Sequence, residues 1–334
     1  MSATAPSSVP EAKPRKALKL VKTNKLGREE WLGVRKQGIG SSDAAAAVGL
    51  NPYKSQLELW LEKTGRDGDL PKTDPNDETS PMYWGTLLEP IVASHYTRRT
   101  GNRVRRINAV LQHPTYPWML ANIDREVTGA PDVQILECKT AGINGSLLWR
   151  EGVPEYVQLQ VMHQLAVTGK QAADVAVLLG GQELQIHRID RDNDLIDKLT
   201  TLEEQFWQFV ETDTPPPADG SESADRALRC LYPRDSGRII DLSEDRPMSA
   251  LFSDLVNVRL TLARDAETES QLKQRIQERM GDATRAIFET GEVTWKRSKD
   301  STVLDVSALT ADHPDLTQAY VKAKPGSRRF LVVA

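Results

Sequence analysis

Cysteine is almost absent from this chain: Cys138 and Cys230 are the only two among 334 residues. Two thiols build neither a disulfide framework nor a Cys-rich zinc site, and a reducing, cytoplasmic setting is expected. Long hydrophobic runs are missing too. No apolar stretch approaches the ~20 residues of a membrane span, and residues 1–25 lack a signal-peptide core. Neither an integral membrane protein nor a secreted one is expected. Strong charge of one sign is also lacking: 43 Lys+Arg stand against 47 Asp+Glu, a net −4. A global positive field that would draw the whole chain to nucleic acid is therefore excluded. The distribution is uneven, however. Residues 1–25 hold six bases and one acid, a balance of +5, so the remainder carries −9. Any contact of the body with DNA has to come from local basic patches beside acidic chemistry.

The length suffices for one large domain or two ordinary ones, with a core that needs no cross-link. Residues 1–25, rich in Pro, Ala, Ser and Lys, read as a disordered basic tail. Ordered pattern spans 26–211. Gly38 to Asp43 is a glycine-punctuated turn before a short helix, with Ser41 or Ser42 as its N-cap. Residues 82–100 read as one helix, with Met82, Leu87, Leu88, Ile91, Val92 and Tyr96 on one face. Short β-like runs follow at 104–111, 118–123 and 133–138. A helix is predicted over 154–168, a hairpin over 172–189 and an amphipathic helix over 195–210. The segment 212–225 (TDTPPPADGSESAD) reads as a linker. Residues 226–334 read as a helical extension, whose stripe of Leu251, Leu255, Val258, Leu262, Leu272, Ile276 and Met280 suits helix–helix packing.

The chemistry concentrates at Asp124 and Glu137-Cys138-Lys139. Side chains alternate along a strand, so Glu137 and Lys139 share a face. Asp124 ends the preceding β-like run and can lie beside Glu137. Two carboxylates in one place need a cation, and oxygen donors select a hard ion such as Mg²⁺ or Mn²⁺. Such an ion polarises a phosphoryl oxygen and activates water, while a nearby lysine orients it. Taken alone, this spacing is common by chance and is more often that of a surface ion pair. Arg98, Arg99, Arg103, Arg105 and Arg106 form a basic cluster able to track a phosphate backbone, or an ordinary solvated helix end.

Further motifs occur in order along the chain: Trp31-Leu32-Gly33-Val34-Arg35, Gly38-Ile39-Gly40-Ser41-Ser42-Asp43, Trp84-Gly85-Thr86-Leu87-Leu88-Glu89-Pro90, Asn122-Ile123-Asp124, Leu136-Glu137-Cys138-Lys139-Thr140, then Pro154, Tyr156, Gln160 and Val167-Thr168-Gly169. Together they resemble the YqaJ-type viral recombinase exonucleases, relatives of phage lambda exonuclease in the PD-(D/E)xK nuclease superfamily. The resemblance covers roughly residues 28–210.

It implies an α/β (α+β) fold: a restriction-endonuclease-like core with a central mixed sheet flanked by helices, here with a mainly helical C-terminal extension. It implies a nuclease domain at 26–211. Asp124 and Glu137 match the metal-binding carboxylates, Cys138 the position supplying a backbone carbonyl, and Lys139 the catalytic lysine. Glu89 and Gln160 match helix residues beside the metal. Arg35 and Ser42 match a 5′-phosphate pocket, which suits an Arg fork beside a hydroxyl; Ser42 as a simple cap is compatible with this. The sequence departs from the family where Arg125-Glu126 follows the aspartate, and Asp132 stands as an alternative metal aspartate. His163 reads as a packed or solvent-facing histidine, with a ligand role the alternative.

The implied activity is Mg²⁺-dependent 5′–3′ digestion of duplex DNA, leaving 3′ single-stranded tails for recombination by annealing. The implied partners are duplex DNA with a free 5′ end and a single-strand annealing protein. The implied assembly is a toroidal homo-oligomer, a trimer in lambda exonuclease, in a bacterial host cytoplasm and with no membrane. Two rivals remain: a structure-specific or restriction-like endonuclease on the same core, and a non-catalytic DNA-binding assembly module.

Overall fold

The computed structural model describes residues 17–324 and 326–333. Its contacts divide the chain into two units, residues 1–232 and 233–334.

The first unit runs β1 (Leu18–Lys22), α1 (Arg28–Arg35), β2 (Ile39–Gly40), α2 (Ala44–Ala47), α3 (Gln56–Thr64), α4 (Pro81–Thr100), β3 (Arg103–Arg105), β4 (Ala109–Gln112), β5 (Met119–Ala121), β6 (Arg125–Thr128), β7 (Ile135–Ala141), α5 (Glu155–Thr168), β8 (Ala172–Leu179), β9 (Glu183–Asp190), α6 (Asn193–Glu211) and α7 (Glu222–Leu231). A five-stranded sheet has the order β3-β6-β7-β8-β9, and a four-stranded sheet the order β1-β4-β5-β2. β7 and β8 run parallel, joined through α5, whereas β8 and β9 form the expected antiparallel hairpin. This is the mixed α/β architecture, a mixed sheet flanked by helices, that the resemblance implied.

α5 is the central element. It packs against strands of both sheets, and Val157, Val161, Leu165 and Val167 are fully buried. Its second half, Val161 to Thr168, is buried throughout, as a helix enclosed between packed layers must be. It stops at Gly169, whose φ of 68° is the left-handed conformation glycine adopts without strain. α4 packs on β7 and β8. Val92, Ala93 and Tyr96 meet Leu136 and Ala176 there. Ile135, one residue earlier, joins Val157 and Leu165 of α5 in a separate cluster. Alternation along β7 therefore sends odd-numbered side chains toward α5 and even-numbered ones toward α4.

Three expectations are corrected. Residues 18–22 are not part of a disordered tail: they form β1, antiparallel to β4, and only 1–16 of the expected tail lie outside the described residues. β1 is an edge strand whose Lys19 and Lys22 suit an exposed edge; the same lysines made it read as tail. The run 104–111 is not one strand. β3 and β4 belong to different sheets, with the chain crossing between them at 106–108. The expected linker 212–225 contains the start of α7, which packs on α3. The Ser55 N–H donates to Ser223 Oγ at 2.8 Å, and Arg226 pairs with Glu58 at 3.1 Å. These contacts tie α7 into the first unit and put the division after Tyr232.

The second unit contains α8 (Arg246–Met280), the hairpin β10 (Arg285–Phe288) and β11 (Gly291–Thr294), and short helices α9 (Val306–Asp312) and α10 (Pro314–Gln318). The helical stripe predicted up to Gly281 is α8. No helix among the described residues is long and apolar enough to cross a membrane.

Candidate active site

β6 pairs with β7 only through Arg125–Leu136 and Glu126–Ile135. Beyond that point the β7 edge is open, and Asp124 sits at the opening. The Cys138 N–H donates to Asp124 Oδ2 at 2.8 Å. Within a strand the N–H and C=O of one residue point to the same edge, so the Cys138 carbonyl also faces the side where Asp124 lies. Glu137 and Lys139 turn toward α5. Lys139 Nζ donates to Glu137 Oε1 and to Gln160 Oε1, both at 2.8 Å. Gln160 Nε2 donates to Glu137 Oε1 at 2.5 Å.

The electrostatics follow from burial. Asp124 is pushed up to about 8, first by burial and then by the charge of Glu137. Burial disfavours the charge on Lys139, yet Glu137 and Asp124 outweigh it and raise the ammonium above its ordinary value. In this arrangement the Lys139 ammonium donates its hydrogen bonds to Glu137 and Gln160. Burial, with Asp124 and Glu137 adding, pushes the Cys138 thiol up as well. A thiol kept protonated is a poor nucleophile and metal ligand.

No group of three or more His, Cys, Asp or Glu side chains gathers as a metal cluster among the described residues. The available set is two carboxylates and one backbone carbonyl. All are hard oxygen donors, which fits a hard divalent cation. Asp124 and Glu137 repel each other in a buried setting, and a cation relieves that repulsion.

The other expected residues divide. Gln160 is at the site. Glu89 is near but bound elsewhere: Arg125 and Arg106 both pair with it. Arg125 also donates to the Asp124 carbonyl at 2.7 Å. Asp132 is exposed and paired with Arg188 at 3.1 Å, so Asp124 is the aspartate beside Glu137. His163 is packed, not exposed: Nδ1 faces Glu203 at 2.7 Å and Nε2 faces the Leu120 carbonyl at 2.9 Å. In the basic cluster, Arg105 is engaged by Glu126 and Arg99 by the Leu184 carbonyl.

Arg35 and Ser42 do come together. Arg35 Nη2 donates to Ser42 Oγ at 3.1 Å and to Asp43 Oδ1 at 2.8 Å, and its guanidinium lies 5.0 Å from the Trp31 ring centroid. Buried Asp43 also accepts from Lys63 Nζ at 2.7 Å, and Lys63 reaches the Arg35 carbonyl at 2.8 Å. Burial acts to raise the Asp43 carboxyl, but Lys63 and Arg35 hold it well below the usual carboxylate range. One carboxylate between two cations leaves a net positive charge beside the exposed Ser42, suited to an anion. No side chain caps α2, so the expected serine cap is not formed. The turn Ser41–Asp43 packs against α5, the helix that carries Gln160.

Sequence reasoning missed Arg125, Lys63 and Gln164. Gln164 Nε2 donates to Glu137 Oε2 at 2.7 Å. Its signal was the four-residue spacing from Gln160, which puts both amides on one helix face.

The description "YqaJ-like viral recombinase domain" matches residues 30–171. The chain is 35% identical over 324 residues to "Uncharacterized protein YqaJ" of Bacillus subtilis (strain 168), covering 95% of this chain and 97% of that one. An alkaline exonuclease from Laribacter hongkongensis is similar in structure, at TM-score 0.47 and 24% identity over 55% of this chain and 93% of that chain. A phage related exonuclease from Haemophilus somnus 129PT is similar at TM-score 0.38 and 11% identity, over 55% and 99%.

Proposed function

Because the chain belongs to the YqaJ-like viral recombinase family, we propose that it is a Mg²⁺-dependent exonuclease that resects duplex DNA from a 5′ end. The 3′ single strand left behind would serve recombination by annealing. The observation that carries this reading is the buried pair Asp124 and Glu137 with Lys139 and Gln160 beside it.

Asp124, Glu137 and the Cys138 carbonyl are the residues that would hold the cation. Bound there, Mg²⁺ (or Mn²⁺) supplies Lewis-acid polarisation of a phosphoryl oxygen and acidifies a water. Lys139, held charged between Glu137 and Gln160, orients the attacking water and offsets negative charge developing on the phosphate. Gln160 keeps both partners in place. Glu89, tied to Arg125, acts on the site through Arg125 and the Asp124 backbone. Arg35 and Ser42 take the 5′-phosphate, and the Lys63–Asp43 pair beneath them fixes the guanidinium. A toroidal homo-oligomer and a single-strand annealing protein as partner belong to the same reading, in a cytoplasmic setting. They rest on the family.

The experiment is digestion of linear and closed circular duplexes in Mg²⁺, the linear ones labelled and bearing either a 5′-phosphate or a 5′-hydroxyl. Release of 5′-terminal nucleotides from linear DNA, with circular DNA intact, is expected. Arg35→Ala should reduce the rate on phosphorylated ends about tenfold while leaving hydroxyl ends nearly unchanged, since a charge-assisted hydrogen bond is worth ~1.5–3 kcal/mol. Cleavage of closed circles would assign an endonuclease instead. Equal losses on both kinds of end would remove the phosphate pocket.

A further inference from the structure

α5 carries a polar row on its inward side: Gln160, His163 and Gln164. His163 and Gln164 are wholly buried. His163 is occupied by Glu203 and the Leu120 carbonyl. Gln164 is bound differently. Its Nε2 donates to Glu137 Oε2 at 2.7 Å and to the Asn122 carbonyl at 3.2 Å, while its Oε1 has no partner among the described residues. Turning the amide over would set its oxygen against two acceptors, so the neighbours themselves fix the nitrogen. One NH₂ group thus joins Glu137 on β7 to the backbone two residues before Asp124.

A buried amide oxygen without a partner is a cost that leucine or methionine would avoid. What glutamine provides in exchange is the pair of bonds from Nε2. We propose that Gln164 is a positioning residue of the metal centre: it fixes Glu137 through its second oxygen and ties the Asp124 segment to it, so that both carboxylates are presented together to a divalent cation. This rests on the reading of Asp124 and Glu137 as the residues that hold the cation. Lys139 and Gln160 engage the first oxygen of Glu137, and the Cys138 N–H engages Asp124; of these groups, Gln164 is the side chain that reaches both Glu137 and the Asp124 segment. Partners that orient ligating carboxylates are typically worth about 10- to 100-fold in metal affinity or activity.

The test uses the full chain. Mg²⁺ alone is titrated by calorimetry, and digestion of linear duplex DNA is then followed at steady state. Gln164→Met keeps the side-chain length and removes the donor. It should weaken Mg²⁺ binding about tenfold or more and lower kcat by a similar factor, with little change in KM. Gln158→Met, on the exposed side of the same helix, should change neither. Wild-type Mg²⁺ affinity in a folded Gln164→Met variant overturns the proposal. If that variant does not fold, Gln164→Asn, whose amide is too short to span both acceptors, is read in the same way. Failure of both to fold assigns Gln164 a purely structural role and also overturns it. Glu137→Gln separates the two levels. If it binds Mg²⁺ and digests DNA like wild type, the site reading itself fails. If it loses both while Gln164→Met retains them, only the positioning role fails.

Discussion

Residues 1–232 enclose Asp43, Lys63, Glu137, His163, Gln164 and Glu203 within apolar clusters, whereas in residues 233–334 Met280 is the one buried hydrophobic side chain among those described. Both units are rich in charge. In the first, ions are withdrawn from water and must be answered by named partners, as Asp43 is by Lys63 and Arg35. In the second, pairs such as Lys273–Glu269 stand on the exposed surface of α8. Charge confined in a low-dielectric interior is oriented and strongly coupled, and can do chemistry. Charge in water is screened and does little more than keep a helix soluble. The difference locates the proposed chemistry in the first unit.

The sharpest way to break this comparison is at the site. Lys139→Ala should lower digestion of linear duplex by on the order of 10³-fold with an unchanged unfolding transition; near-wild-type activity would remove Lys139 from the mechanism. Next in size is Lys63→Met. It leaves Asp43 with less than its share of buried positive charge and should cost about 3 kcal/mol in urea denaturation.

The pH dependence of the metal-free protein is a third test. Asp124 has a folded pKa of about 8, above its ordinary value. The folded chain therefore holds a proton that the unfolded chain has released, and stability falls as pH rises from about 4 through 8. Asp124→Asn should remove about 2–3 kcal/mol of the stability change between pH 6 and 8.5; parallel pH profiles would contradict the burial argument. The smallest expected effect is Lys273→Met on α8, under about 0.5 kcal/mol by the same denaturation. A loss as large as that of Lys63→Met would erase the contrast between the units.

The residues that alternate along one strand were legible before any fold was known. Glu137 and Lys139 share a face because strands have period two, and Asp124 was readable as the end of the preceding run. Gln164 and Lys63 were not, because a glutamine or lysine on a helix looks solvated until the helix is placed. α5 is buried only because strands of two sheets close on it. The sheet boundary between β3 and β4 was hidden for a similar reason. Both halves of 104–111 have β character, and only tertiary pairing sends them to different sheets. Arg125 broke the expected pattern after Asp124, and its partner Glu89 lies 36 positions away, beyond the reach of local spacing.

The most direct measurement of the central claim is a Mg²⁺ titration of the metal-free full chain, followed by calorimetry and thermal unfolding, for wild type and for Asp124→Asn with Glu137→Gln combined. Saturable binding that raises the unfolding temperature of the wild type is expected, with loss of both responses in the double variant. Equal binding and equal stabilisation of the two proteins would contradict the claim.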